Sequence, residues 1–164
     1  MIHIITTGGT IEGLDYKKPE NEKKQNKIAI AEFLESANVS FPYIIEKAFA
    51  KDSRSITDED RMFLLKKIKA SNAEKFLITH GTFTMEDTAA YLGRQGLKKT
   101  ILLVGSFILG NSKSTDAPFN LGFAFSALQF LKPDVYIAMN GEIFHWNNVT
   151  KNTDTNKFMS KNEK

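Results

Sequence analysis

Short β-branched runs alternate with helical stretches from one end of this chain to the other, and few architectures accommodate that pattern. Ile2-His3-Ile4-Ile5 opens it as a buried strand. Ile28, Ile30, Ala31, Phe33 and Leu34 predict a short amphipathic helix over 28–37, which Asn38, Ser40 and Pro42 break. Strands are expected at 43–49, 75–79, 99–104 and 135–140, with a short hairpin partner at 142–146. Between them lie three longer helices. Thr57 begins the first, ahead of Asp58, Glu59 and Asp60, with Asp60 at the position that faces the capping hydroxyl. The second runs from Met85 to about Gln95, and Thr84 is placed to cap it with Asp87. The third follows Asp116 and Pro118 and ends before Pro133, with Asp116 as the expected cap. The expected fold is α/β: a doubly wound, mostly parallel, three-layer sheet, in one domain over 1–164.

In such a sheet ligands bind beyond the carboxyl ends of the strands. The residues there are Thr6-Thr7-Gly8-Gly9-Thr10-Ile11, a turn of two glycines flanked by hydroxyls. Two other strands end in comparable loops, His80-Gly81-Thr82 and Gly105-Ser106. A Gly-Gly turn alone is as well explained by chain reversal as by chemistry. Residues 12–26 after it are polar, without apolar periodicity, and read as a surface loop.

Composition closes off several functions. The net charge of +3 comes from lysines scattered among acids, so no nucleic-acid stripe is present. There is no cysteine, hence neither disulfide framework nor thiolate chemistry. No apolar run has the length of a membrane span, and no targeting segment is expected, since the chain goes straight into its first strand. The expected location is the cytoplasm. His3, His80 and His145 do not stand at metal-ligand spacing, so neither metal nor cofactor is expected.

The motifs carry a resemblance. Thr-Gly-Gly-Thr-Ile behind an N-terminal strand resembles the opening of the bacterial-type L-asparaginases. His80-Gly81-Thr82-Phe83-Thr84-Met85-Glu86-Asp87-Thr88-Ala89 resembles the family run His-Gly-Thr-Asp-Thr-Met-Glu-(Glu/Asp)-Thr-Ala and departs from it at Phe83. Val104-Gly105-Ser106, then Ser114-Thr115-Asp116-Ala117-Pro118-Phe119-Asn120-Leu121, is similar to the family's Val-Gly-Ala-Met-Arg and Ser-Ala-Asp-Gly-Pro-x-Asn-Leu. Val149-Thr150-Lys151 is similar to its Val-Thr-Lys.

The resemblance implies roles residue by residue. Thr10 stands at the nucleophile, Thr82 at the second essential threonine, and Lys151 at the base beside it. Tyr16 stands near the lid tyrosine, although the family spacing is usually longer. Ser53 matches the serine that grips the substrate α-carboxylate. Arg54 follows it where the family has a small or amide residue, and its fork suits a carboxylate. Phe83 replaces the aspartate that holds the α-ammonium and orients the lysine. Thr10, Thr82, Lys151 and Tyr16 are thus the candidate catalytic set, and Gly9, Ser53, Arg54, Gly81, Phe83 and Ser106 the candidate substrate-binding set. The resemblance covers the chain but only the family's N-terminal domain. The smaller C-terminal domain, which completes a neighbour's site across a dimer, is expected to be absent.

Two function classes remain open on the sequence. One is an asparaginase-like amidohydrolase that forms an acyl-threonine and releases ammonia. The other is a module that binds a small carboxylate or amide without turning it over. Phosphate binding by the Gly8-Gly9 turn is weaker, because neither Gly-x-Gly-x-x-Gly nor a Walker pair is present. A homodimer is expected, using the Phe-rich segment 119–130.

Overall fold

The computed structural model describes residues 1–15 and 30–162. Its main sheet has six strands: β1 Ile2–Thr6, β2 Tyr43–Lys47, β3 Lys75–Thr79, β4 Thr100–Val104, β5 Val135–Met139 and β6 Glu142–His145. They lie in the order β2-β1-β3-β4-β5-β6. The first five are parallel, and β6 returns antiparallel to β5 at the edge. The α/β, mostly parallel architecture expected from the alternation is therefore present.

Period-two alternation sorts each strand's side chains between two cores. Ile5, Ile78, Leu103 and Ile137 are neighbours across the sheet, and they point to one face. There α2 (Asp58–Ala70) and α3 (Met85–Gly93) cover them with Leu64, Ile68, Met85, Ala89 and Leu92. Ile4, Leu77, Leu102 and Ala138 point to the other face. α1 (Ile30–Ser36) and α4 (Ala117–Phe130) cover that face with Ile30, Leu34, Leu121, Ala124 and Leu128. Each fully buried aliphatic side chain contributes roughly 1.5–3 kcal/mol, so the two cores hold the layers together. Among the described residues no helix is long and apolar enough to cross a membrane.

Local signals fare unevenly. The Thr57–Asp60 capping box forms in both directions. Thr84 precedes α3, but its hydroxyl donates to the Ser53 carbonyl at 2.6 Å and caps nothing. Asp116 precedes α4, yet its carboxylate turns back to the loop after β4. β2 stops at Lys47, two residues short of expectation, as the chain turns towards the Gly8 loop. Residues 12–15 are not a surface loop: Glu12 and Leu14 are buried under the sheet edge. A ribbon of β7 (Thr150–Asn152) and β8 (Lys157–Met159) was not legible as strand pairing. Phe158, buried against Phe107 and Phe144, seats it on the sheet.

Candidate active site

β1 pairs with β2 on one side and with β3 on the other, so strand order reverses beside β1. The crevice at such a switch point is where open α/β sheets bind ligands. Two loops meet there with backbone against backbone. Gly9 has φ 89°, and a Cβ on it would lie 2.7 Å from the Gly81 nitrogen. Gly81 in turn lies under Ser53, whose Oγ would be 2.7 Å from an added Cβ. Only hydrogen side chains allow the loops after β1, β2 and β3 to stack this closely. Thr10 and Thr82 each lie one residue past these contact points.

Thr10 opens a 3₁₀ turn, Thr10–Glu12, and its carbonyl accepts from Gly13 and Gly110, both at 2.9 Å. Glu12 is the staple of this loop. Its Oε1 accepts from the Gly8 amide at 2.8 Å and from Thr79 Oγ1 at 2.9 Å. Thr7 Oγ1 adds a bond to the Thr79 carbonyl at 2.7 Å. The turn that carries Thr10 is thus tied to the end of β3 by buried polar groups. Such fully satisfied networks rigidify a site.

On the neighbouring loop Thr82 is nearly buried, and Lys151 Nζ donates to its Oγ1 at 3.0 Å. β7 brings the lysine in, and the Glu86 carboxylate of α3 receives the Lys151 amide at 3.1 Å. The ammonium lies 4.5 Å from the Phe83 ring centroid and 5.2 Å from that of Phe107. Burial pushes Lys151 below the usual lysine range, against the pull of Glu86. Burial likewise pushes the Glu86 carboxyl up, opposed by the bond from the Lys151 amide. An amine that loses its proton more readily than usual, in contact with a hydroxyl, can act as its base.

Ser53 is buried, and its Oγ accepts from the Phe83 amide at 3.2 Å. Arg54 stands at the rim. Its Nε and Nη2 are engaged with Asp52, and its guanidinium carbon lies 4.8 Å from the Phe83 centroid. A ligand carboxylate would therefore exchange with Asp52 for that fork. Phe83 itself is 58% exposed, with cations of both Lys151 and Arg54 on its ring. Ser106 is buried, but its hydroxyl donates to the Ile108 carbonyl in its own loop at 2.8 Å. Asp116 shapes that loop, accepting from the amides of Phe107 and Ile108 and from Asn120 Nδ2.

His80 lies fully buried behind Thr82. Its Nδ1 must donate to the Gly81 carbonyl at 2.7 Å, which leaves Nε2 to accept from Thr88 Oγ1 at 2.9 Å. Burial drives its pKa to about 4, so it is a neutral peg for the Gly81 turn. Tyr16 lies outside the described residues. Glu12, Glu86 and Phe107 are site residues to which the sequence alone assigns no role. Glu12 had the one usable signal, a carboxylate four residues past the first turn glycine.

Three comparisons bear on this arrangement. A family model described as "Asparaginase, N-terminal" matches residues 1–164. The chain is 32% identical to the probable periplasmic L-asparaginase of Haemophilus influenzae over 167 residues, covering 94% of this chain and 47% of that protein. It is 30% identical to L-asparaginase 2 of Escherichia coli over 176 residues, covering 98% and 49%. Among solved structures, the probable cytoplasmic L-asparaginase of Campylobacter jejuni superimposes with a TM-score of 0.79 at 28% identity, covering 97% of this chain and 51% of that one. The chain spans about half the length of the curated relatives it matches.

Proposed function

We propose, since this chain belongs to the asparaginase family through the family's N-terminal domain, that it is an amidohydrolase acting on a linear carboxamide. Thr10 Oγ1 attacks the amide carbon, and the backbone amides after Gly9 face the oxyanion that forms. The hydroxyl proton passes to the leaving nitrogen, ammonia departs, and an acyl-threonine ester remains. Water then cleaves the ester, its proton taken through Thr82 and Lys151 and returned to Thr10 Oγ1 as the acid is released. The sequence of steps balances without a cofactor. The observation that carries this reading is the 3.0 Å contact between Lys151 Nζ and Thr82 Oγ1, on the loop pressed against Gly9.

Phe83 shapes the substrate class. A phenyl ring carries no full charge to pair with an α-ammonium, and the Lys151 and Arg54 cations already lie over this one and repel a third. The preferred substrate is therefore an amide of a small acid without a free α-amine, or with an acylated one. Ser53, with Arg54 at the rim, favours a carboxylate on that substrate. Tyr16 as lid residue rests on the family resemblance alone.

The same replacement favours a second reading, a binding module for a small carboxylate or amide that has lost turnover. Ammonia release over a panel of carboxamides, wild type beside Thr10→Ala, separates the two. Release that vanishes in Thr10→Ala supports the enzyme. Saturable binding in calorimetry, with the amide recovered intact, supports the module.

A homodimer is part of the proposal, because α4 presents Phe119 at 63% and Phe130 at 84% exposure. Light scattering at micromolar concentration tests it, and a monomer rejects it. The cytoplasm is the proposed location, supported by the Campylobacter jejuni neighbour's description, while the Haemophilus influenzae relative is described as periplasmic. The partner in this reading is a small molecule, with no part for nucleic acid or a membrane.

A further inference from the structure

We propose that Phe107 is a positioning residue, forming with Phe83 an aromatic slot that holds the Lys151 ammonium against Thr82. The inference deepens the amidohydrolase reading and takes its catalytic meaning from it. Lysine has a long, freely rotating stem, and β7–β8 is a two-stranded ribbon of short strands, marginal by itself. Something beyond the ribbon must fix Nζ. Both ring centroids lie within the distance at which a cation is drawn to an aromatic face.

Phe107 is the better anchored of the two rings. The Asp116 carboxylate holds its amide at 3.0 and 3.2 Å. Its ring also packs 6.2 Å from Phe158, the residue paired with Lys151 across the ribbon. One side chain thus touches both the ammonium and the ring that seats the lysine's own strand.

The slot acts on the amine in two opposed ways. Its apolar volume keeps water off and favours the neutral form, while its π faces favour the ammonium. The charged groups around it are Glu86 on α3, itself acted on by Asp87 and Lys161, the Arg54–Asp52 pair, and Asp116 behind Phe107. An aliphatic residue at 107 keeps the volume and loses the face. A small residue loses both and admits water.

The test is an NMR titration of the lysine Cε resonances, with Lys151 assigned by its loss in Lys151→Arg. In Phe107→Leu the apparent pKa of Lys151 falls by roughly half to one unit. In Phe107→Ala it rises, and Phe107→Tyr stays at wild type. Phe83→Leu, at an exposed position where folding is not at stake, falls as Phe107→Leu does. Phe107→Met replaces the leucine variant should that fail to fold. A titration unmoved in all folded variants, whatever happens to their melting temperatures, overturns the slot. If it moves as stated while no amide releases ammonia, the slot stands and the amidohydrolase reading fails. If it is unmoved while Thr10-dependent ammonia release is intact, the slot alone fails.

Discussion

Lys151 Nζ and Thr82 Oγ1 meet at 3.0 Å across 69 residues of sequence. Two independent devices bring them together. Gly81 lets the loop after β3 turn tightly under Ser53, and Phe158 pins the β7–β8 ribbon to the core. The Lys151 side chain is only partly buried, so its removal should act on chemistry more than on folding. Lys151→Met is expected to lower ammonia release about 10²–10⁴-fold, the usual reach of general-base catalysis. Thermal melting should change little. Equal activity in the variant removes Lys151 from the reaction.

His80 makes stability depend on pH in a stated direction. Its folded pKa, about 4, lies below its ordinary 6.5, so the unfolded chain takes up this proton first. The contribution is complete above about pH 6.5 and is lost as pH falls towards 4, at no more than about 1.4 kcal/mol per pH unit. Summed over that window it is about 3 kcal/mol. His3, also lowered by burial, adds to this slope, and His145, raised chiefly by its bond to Asp134 over the effect of burial, opposes it. Urea unfolding between pH 7.5 and 4.5 isolates the His80 share by comparison with His80→Asn. The variant should be less stable at neutral pH but flatter with pH. Parallel curves would assign the slope to other groups.

The sheet was legible because its strands are short β-branched runs, and period two divides them between the two cores. The motif glycines were legible as turns. What the sequence did not show is where the polar side chains between those turns are directed. Thr84 and Asp116 both carry the composition of helix caps, yet each finds a better partner in a neighbouring loop. Glu12 sits in a polar stretch that looks solvated, but Gly8 and Thr79 draw it inside. The β7–β8 ribbon has no period to read in three-residue strands. Phe158 makes it, through contacts distant in sequence.

Gly81 offers a test of loop stacking that does not depend on chemistry. An added Cβ would lie 2.7 Å from Ser53 Oγ and 2.9 Å from Ser53 Cβ, both nearly buried. Gly81→Ala should cost about 1–3 kcal/mol, the range for overpacking. Ser53→Gly in the same chain removes both clashing atoms. The double variant should recover part of the loss in urea unfolding, giving a coupling between the two sites. Additive losses would mean that the loops are free to move apart.

In the proposed amidohydrolase, Phe83 sets chemistry and substrate together. Its ring is 58% exposed, and the Lys151 ammonium approaches it to 4.5 Å. Phe83→Asp would replace that face by a carboxylate beside the amine. An adjacent negative charge favours the ammonium, so the apparent pKa of Lys151 should rise back towards the ordinary lysine range. At neutral pH the neutral, proton-accepting fraction then shrinks, and turnover of amides without an α-amine should fall. The new carboxylate also supplies the partner that an α-ammonium lacks in the wild type, so KM for free L-asparagine should drop. The two effects move opposite substrates in opposite directions, which a general loss of structure could not do. Ammonia release is to be compared for L-asparagine, succinamic acid and N-acyl asparagine in both proteins. The wild type should prefer the last two, and Phe83→Asp should shift the ratio towards L-asparagine. A wild type that already prefers L-asparagine, unchanged in the variant, would mean that position 83 does not face the substrate's amine.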